Sequence, residues 1–469
     1  MKRLFTTTIV AGLLLTSSIA SAQTLLGVYY GKEGWAMDDV TRLESWQGKK
    51  NAVIGLYSNW TETSEGLLFT YQLPYIWEHG NVPLITWEPY LAGTTPDNIE
   101  TRIAQGEYDS YLDSWGKKLR QFLAGGDGIY GTEDDRRVYI RLAHEPNGNW
   151  YPWSAKNGVN TPADYIAMWQ KIWGSLDAQG LDRSHLQWIW SVNNVDSGAF
   201  SMEDYYPGDA YVDWVGVDGF NWGTAYNWSS WQSPHEIFDP VRARIAQLAP
   251  TKPVALTEVA STATTSSGVS STLKDNWISQ LSTYLQEADI RLVSWFNQDK
   301  ETNWQLFAGQ YGTTQADGLN VYPAYRTFVQ NALMIPADET NPRILTDQQF
   351  QGVLTESVPL VANTKKCRVA YNISSRWTGG YVSGVHVTAN YTIPRTWKLV
   401  WGFTNREKIS SGWNAQLQQT AQQVTVIPPS WWQWMPAGAE PDFGFVGSGI
   451  PATPTQASLN GIPCEITMH

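Results

Sequence analysis

Two glutamates occupy the positions from which this sequence can do chemistry. Glu145 follows the apolar, β-branched run Val138-Tyr139-Ile140-Arg141-Leu142. It opens the loop His144-Glu145-Pro146-Asn147-Gly148-Asn149-Trp150-Tyr151-Pro152-Trp153, which crowds one carboxylate among aromatic rings and amides. Glu258 ends a second short apolar run, Pro253-Val254-Ala255-Leu256-Thr257. Hydrolysis of a glycosidic bond uses such a pair: one carboxylic acid protonates the departing oxygen while one carboxylate stabilises or attacks the oxocarbenium-like carbon. Glutamates near strand ends are common by chance, so the pair draws its weight from its surroundings. Indole and phenol rings complement the apolar C–H faces of pyranoses, and amides complement their hydroxyls.

Placing these groups falls to the elements that precede them. Eight strand-like runs alternate with helical patterns: Leu25 to Tyr30, Ala52 to Tyr57, Val82 to Trp87, Val138 to Leu142, Leu186 to Trp190, Val212 to Val217, Pro253 to Thr257 and Arg291 to Phe296. Among the helical segments, Thr161 caps a helix with Pro162 at its first position, Ile166, Trp169, Trp173 and Leu176 as its apolar stripe, and Gly180 as its stop. Tyr108, Tyr111, Trp115, Leu119 and Phe122 form a similar stripe, and a last helix is expected from Tyr322 to Leu333. Eight strands with helical crossovers predict an α/β fold, the (β/α)8 barrel. Such barrels display reactive groups at the C-terminal ends of their strands, so Glu145 after the fourth and Glu258 after the seventh face each other across one mouth. After Cys367 the texture changes to Arg368 to Tyr371, Val385 to Thr388, Trp397 to Phe403 and Gln423 to Val426, separated by Gly, Asn and Pro, which predicts a small β-sandwich.

At 469 residues the chain exceeds one ordinary core. The expected division is a signal peptide at 1–22, a barrel at 23–335, a connector at 336–366 and a β-sandwich module at 367–469. The basic start Met1-Lys2-Arg3, the apolar stretch Ile9 to Leu15 and the small residues Ala20-Ser21-Ala22 fit an export signal. No later apolar run approaches the roughly 20 residues of a bilayer span, so a secreted, extracellular, monomeric protein without a membrane anchor is expected. A net charge of -12 disfavours nucleic acid and anionic membranes as partners. The 26 Trp and 23 Tyr exceed what cores need, although packing accounts for roughly half of them. Cys367 and Cys464 lie 97 residues apart; oxidised after export, they would clamp the module by about 4–5 kcal/mol, two free thiols being the alternative. No cofactor or metal is called for. The acidic loop from Asp127 to Asp135 offers hard oxygen ligands but lacks the twelve-residue calcium spacing, and is read as a solvated turn.

From about Leu26 to Gln305 the chain resembles glycoside hydrolase family 26. The resemblance rests on the His144-to-Trp153 loop, on Tyr205-Tyr206-Pro207-Gly208-Asp209-Ala210-Tyr211-Val212-Asp213-Trp214-Val215-Gly216-Val217-Asp218-Gly219-Phe220, on Thr257-Glu258 and on Trp295-Phe296-Asn297. It implies a retaining mechanism with Glu145 as acid/base and Glu258 as nucleophile, their carboxyl groups roughly 5–5.5 Å apart. His144 either lines the same pocket or packs as a buried imidazole. Trp150 and Trp153 are candidate sugar platforms, as are Trp87, Trp222 and Trp295, each equally suited to core packing; Asn147 and Asn221 complete the candidate substrate-binding set. One departure is Phe220, where many members carry a tyrosine that hydrogen-bonds the nucleophile, so Asn221 or another donor has to hold Glu258.

The segment from Cys367 to Cys464 resembles family 2 carbohydrate-binding modules on Arg376-Trp377-Thr378-Gly379-Gly380-Tyr381, Thr396-Trp397-Lys398-Leu399, Gly412-Trp413-Asn414, Phe443-Gly444-Phe445 and Leu459-Asn460-Gly461-Ile462-Pro463-Cys464. That resemblance implies a cellulose-binding face of Trp377, Trp413 and Trp431, with Trp397 in the core. The expected protein is an endo-acting retaining hydrolase of plant cell-wall β-linked polysaccharide, held on cellulose by its second module. Mixed-linkage β-1,3-1,4-glucan is slightly favoured as substrate, ahead of β-1,4-mannan and then β-1,3-xylan. Transglycosylation uses the same residues, and an inactive wall-binding protein on the same barrel is the alternative from another class.

Overall fold

Runs of Val, Ile and Leu with no polar face must be covered on both sides, and parallel strands under helices meet that demand. In the computed structural model the first unit contains eight of them: β1 (Thr24–Tyr29), β2 (Val53–Trp60), β3 (Val82–Leu91), β4 (Val138–Leu142), β5 (Leu186–Asn193), β6 (Trp214–Asn221), β7 (Val254–Ser261) and β8 (Ile290–Phe296). They pair in chain order, all parallel, and β8 returns to β1, closing the barrel. The structure describes residues 23–354, except 33, 36, 156 and 157, and 367–468, except 390–396, 405, 406, 430–434, 436–439, 453, 455, 456, 460 and 461. The expected signal peptide at 1–22 and Trp431 lie outside the described residues. Backbone contacts divide the chain into two units, Met1–Glu356 and Ser357–His469.

Among the covering helices are α1 (Met37–Gln47), α2 (Asp109–Leu123), α3 (Pro162–Asp177), α4 (Pro234–Leu248), α5 (Ser271–Glu287) and α6 (Pro323–Val329). α3 starts as its cap predicts: Thr161 and Asp164 form a capping box with proline in the first turn, and Gly180 takes a positive φ of 73° beyond its end. Its buried face is Tyr165, Met168, Trp169, Ile172 and Leu176. This face is rotated by about one position from the expected stripe, because Ile166 and Trp173 are only half-buried. No helix of the described residues is long and apolar enough to cross a membrane.

The barrel's lower end is plugged by the stretch after α6. Ala337, Ile344, Leu345, Phe350 and Leu354 are buried with Leu25, Val82, Tyr139, Trp214 and Leu292 from the strand starts. Arg137 donates to the Leu345 carbonyl at 2.6 Å and Tyr139 to that of Phe350 at 3.0 Å. This stretch shows no periodicity because it follows the barrel floor with only a two-residue strand, Met334–Ile335, beside β1 and one helical turn, Asp347–Phe350, among its described residues.

The second unit is antiparallel apart from one strand pair. Its strands are β9 (Cys367–Trp377), β10 (Gly380–Ala389), β11 (Leu399–Gly402), β12 (Lys408–Trp413), β13 (Gln416–Thr420), β14 (Gln423–Ile427), β15 (Asp442–Ser448), β16 (Ala457–Leu459) and β17 (Ile462–Met468), in spatial order β12-β15-β10-β9-β17-β16-β11-β14-β13. The sheet wraps a core containing Tyr371, Tyr381, Trp397, Trp401, Phe443 and Phe445, and Cys367 is bonded to Cys464. Polar strands such as Gln416–Thr420 and the glycine-rich Asp442–Ser448 are hard to see in the sequence because they lack a run of β-formers.

Candidate active site

Strand register builds the site in layers. Tyr57, Thr86 and Arg141 are partners across β2, β3 and β4, while Asn193, Asp218 and Glu258 are partners across β5, β6 and β7. On β7 the register slips, Val217 facing Leu256 and Asp218 facing Glu258, so Thr257 is an extra residue. A bulge of this kind re-aims the side chains beside it. Here Thr257 and Glu258 both reach toward Asp218 and its partners.

Glu145 is presented differently. After β4, Ala143 and Glu145 take left-handed backbone conformations with φ of 41° and 52°, which residues other than glycine rarely adopt unless their surroundings hold them. Ala143 N–H donates to the Trp87 carbonyl at 3.0 Å, Glu145 N–H to that of Ser191 at 2.8 Å, and Gly148 N–H back to Glu145 at 3.0 Å. Asn147 pins the loop to the next one: its Nδ2 donates to Asn193 O and Asp196 Oδ1, and its Oδ1 accepts the Asn193 N–H, all at 2.9 Å.

The two carboxyl groups sit in opposite electrostatic settings. Burial raises the Glu145 pKa well above the usual carboxylate range, and the charges of Asp218 and Glu258 raise it further. Trp150 Nε1 donates to its Oε2 at 2.8 Å and Asn193 Nδ2 approaches its Oε1 at 3.4 Å. Glu258 Oε1 instead accepts from both the Arg141 guanidinium and the Tyr57 hydroxyl. Arg141 is spread among four partners, donating also to Thr86 Oγ1 at 2.9 Å, to both oxygens of Asp218 at 2.9 Å and to the Tyr57 oxygen at 3.2 Å. Asp218 further accepts from Thr257 at 2.7 Å and Ser191 at 3.2 Å; burial pushes its pKa to about 7, with Arg141 opposing and Glu258 adding to the shift.

His144 faces this centre. Its Nε2 pairs with the Tyr151 hydroxyl at 2.9 Å and its Nδ1 is buried without a hydrogen bond. Burial, aided by Arg141 and Lys300, lowers its pKa well below the ordinary value, so the ring is neutral. Atoms of His144, Asp218 and Glu258 come within 4.8 Å of one another, the one grouping among the described residues with metal-ligand proximity. The Arg141 guanidinium already donates to both carboxylates, so a cation there would compete with it.

Of the expected platforms, the structure brings Trp150 and Trp222 to the surface of the mouth and withholds the rest. Trp150 is 46% exposed beside Glu145. Trp222 is half-buried beside Trp304, at 4.8 Å between ring centroids. Trp153 is fully buried, stacked on Tyr151 at 4.5 Å, with its indole N–H on the His144 carbonyl. Trp87 is equally buried, stacked on Trp115 of α2 at 3.9 Å. Trp295 packs against Trp277 of α5 and Tyr325 of α6. Both follow from parity, since Trp87 neighbours the inward Thr86 and so points out to the helices. Asn221 is buried too, accepting from Gly223 and Gln232 N–H at 3.2 and 3.0 Å and donating to Ser261 at 2.9 Å, which makes it a loop staple and no partner of Glu258. The donors that hold Glu258 are Tyr57 and Arg141.

Arg141, Asp218 and Tyr57 are site residues that sequence reasoning missed. For the first two a signal existed, a charge inside an otherwise apolar strand; a strand tyrosine gives none. In the acidic loop, Gly126 and Asp127 N–H donate to Asp134 at 2.7 and 3.1 Å and Gly131 N–H to Asp135 at 2.6 Å; Asp135 is buried, in departure from the expected solvated turn, and also pairs with His185 Nε2 at 2.7 Å.

In the second unit, Trp377 and Trp413 are 51% and 42% exposed, whereas Trp397 is buried. Each exposed indole lies on a cross-strand glycine: a Cβ on Gly380 would come within 2.6 Å of Trp377, and one on Gly444 within 1.9 Å of Trp413. Gly380 pairs with Ser448, four residues from Gly444 on β15, so both rings share one face, roughly 13 Å apart along the strands.

Residues 69–308 match the family model described as Glycosyl hydrolase family 26, and residues 367–464 that described as Cellulose binding domain. Endoglucanase H of Acetivibrio thermocellus is 29% identical over 310 residues, covering 64% of this chain and 31% of that protein. A mannan endo-1,4-β-mannosidase of Bacillus subtilis is 28% identical over 213 residues, covering 41% and 56%. The chain therefore spans about a third of the first relative's length and just over half of the second's. A solved β-mannanase structure from Bacteroides ovatus is 16% identical, with a TM-score of 0.49 over 69% of this chain and 94% of that one.

Proposed function

Since the chain belongs to glycosyl hydrolase family 26, we propose that it is an exported endo-acting retaining glycoside hydrolase that cuts a β-linked polysaccharide while its second unit holds it on cellulose. The observation that carries this reading is the electrostatic split between the two carboxyl groups, one kept protonated by burial and neighbouring charge, the other clasped by Arg141 and Tyr57. Glu145 gives its proton to the glycosidic oxygen as the C–O bond breaks, and Glu258 attacks the anomeric carbon. Its Oε1 is engaged by both donors, which leaves Oε2 to form the bond. Glu145, now a carboxylate, takes a proton from the water that displaces Glu258 and restores the starting state. Arg141 and Tyr57 hold the attacking group in place, and Asp218 keeps Arg141 in place.

Mixed-linkage β-1,3-1,4-glucan is the favoured substrate, supported by the form of the Asn149-to-Trp153 loop and by the longer match to an endoglucanase than to a mannosidase. β-1,4-Mannan is the second reading. Export is supported by the Cys367–Cys464 disulfide and by a substrate too large to enter a cell. The glycine-backed pair Trp377 and Trp413 suits a flat polymer surface.

Reducing-sugar release is to be measured on barley β-glucan, mannan, β-1,3-xylan and carboxymethylcellulose, with Glu258→Ala as blank. Release from one polymer that the variant abolishes supports the proposal. No release from any of them favours an inactive binding protein.

A further inference from the structure

The loop between β6 and α4 carries an aromatic group that none of the chemistry above employs. Tyr226 and Trp228 stack with centroids 5.4 Å apart and planes 11° from parallel, and they are 40% and 69% exposed. An ordered pair of large rings left open to water is an unusual expense for a surface loop. The loop is built to hold them still. Asn221 Oδ1 ties its two ends together through the Gly223 and Gln232 N–H groups. Ser229 N–H and Oγ donate to the Tyr226 carbonyl at 3.1 and 3.0 Å, and its Oγ accepts the Tyr226 N–H at 3.1 Å. Gly223 has a φ of 53° and leaves no room for a side chain, since a Cβ would lie 2.3 Å from Thr264 O.

The pair is continuous with the catalytic mouth. Trp222 meets Tyr226 and Trp228 edge-on at 5.7 and 5.2 Å, and meets Trp304 at 4.8 Å. Trp304 packs on Phe220 at 5.0 Å, two residues beyond Asp218 on β6, and Phe220 on Phe296 at 5.8 Å. A packed aromatic cluster, with Trp304 buried beneath the half-buried Trp222, thus joins the end of β6 to the exposed rings.

We propose that Tyr226 and Trp228 form a remote glycan subsite, several sugar residues from the point of cleavage, that stacks on a pyranose face of a long β-linked chain. The proposal rests on the glycanase reading. A sugar chain is the occupant because one lying along the mouth runs on from the half-buried Trp222 to the open pair beside it, and because rings already ordered lose little freedom when it binds. The subsite therefore acts on long substrates and leaves short ones aside.

The test uses the full chain with Glu145→Gln to stop turnover, titrated calorimetrically with soluble hexasaccharides and disaccharides of mixed-linkage glucan and of mannan. Adding Trp228→Ala is expected to weaken hexasaccharide binding about tenfold, the scale on which truncating an interface tryptophan acts, and to leave the disaccharide close to its starting affinity. Trp228→Tyr, which keeps a ring, should recover most of the loss. An unchanged hexasaccharide affinity, an equal loss at both lengths, or no hexasaccharide binding by the Glu145→Gln chain overturns the subsite. Hydrolysis by the unsubstituted chain is scored separately: its absence overturns the enzyme reading, while the length dependence of binding still decides the subsite.

Discussion

Three tryptophans of the barrel and two of the second unit are used in opposite ways. In the barrel, Trp87, Trp153 and Trp295 are buried, wedged between strands and helices or under the Glu145 loop, where they fix the backbone that presents the carboxylates. In the second unit, Trp377 and Trp413 lie flat on glycines with a face open to water. The difference teaches that a tryptophan's neighbours decide its role. A glycine directly across the sheet leaves an indole supported below and open above, whereas a helix on the outside of a barrel strand swallows it.

The largest effect belongs to the barrel's charges. Glu145→Gln is expected to lower kcat on polysaccharide about 10²–10⁴-fold, the usual worth of a positioned general acid, while cellulose binding stays. The same variant should be more thermostable than the parent at pH 7, and less distinguishable from it near pH 4, by thermal melts. The sign follows from the raised pKa: the native state holds the Glu145 proton more tightly than the unfolded chain. The parent therefore loses stability as pH climbs from about 4.3 toward the native value. Glutamine does not titrate.

Next, Trp87→Ala should cost about 3–5 kcal/mol of stability in denaturant melts, because it empties the space against Trp115. Trp413→Ala should change stability by no more than about 1 kcal/mol, yet weaken adsorption to cellulose about tenfold. Equal stability losses in the two variants would erase the contrast between the units.

The smallest effect is on pH dependence. Asp218→Asn removes one of the negative charges that raise the Glu145 pKa, so the alkaline limb of the kcat/KM profile should move to lower pH. An unmoved limb would mean that burial and Glu258 set the acid without Asp218.

Much of the barrel was legible because eight buried runs carry their own period, and the strand ends pointed to Glu145 and Glu258. What stayed hidden depends on parity and on neighbours distant in sequence. Trp87 and Trp295 stand beside Thr86 and Ser294, small polar residues that mark the inward face, so alternation places both rings outside. Arg141 inside Val-Tyr-Ile-Arg-Leu and Asp218 inside Val-Gly-Val-Asp-Gly were readable as buried charges seeking partners. Tyr57 was not, because its hydroxyl meets Glu258 only once β2 and β7 share a barrel.

The central claim is that Glu258 is the nucleophile and Glu145 the proton donor. Its most direct test is to inactivate the protein with a 2-deoxy-2-fluoro glycoside carrying an activated leaving group and to locate the trapped sugar by peptide mass spectrometry. The account predicts one sugar per chain, attached to Glu258, with Glu258→Ala unlabelled. A sugar on Asp218 or Glu145, or steady turnover without any labelled peptide, would contradict it.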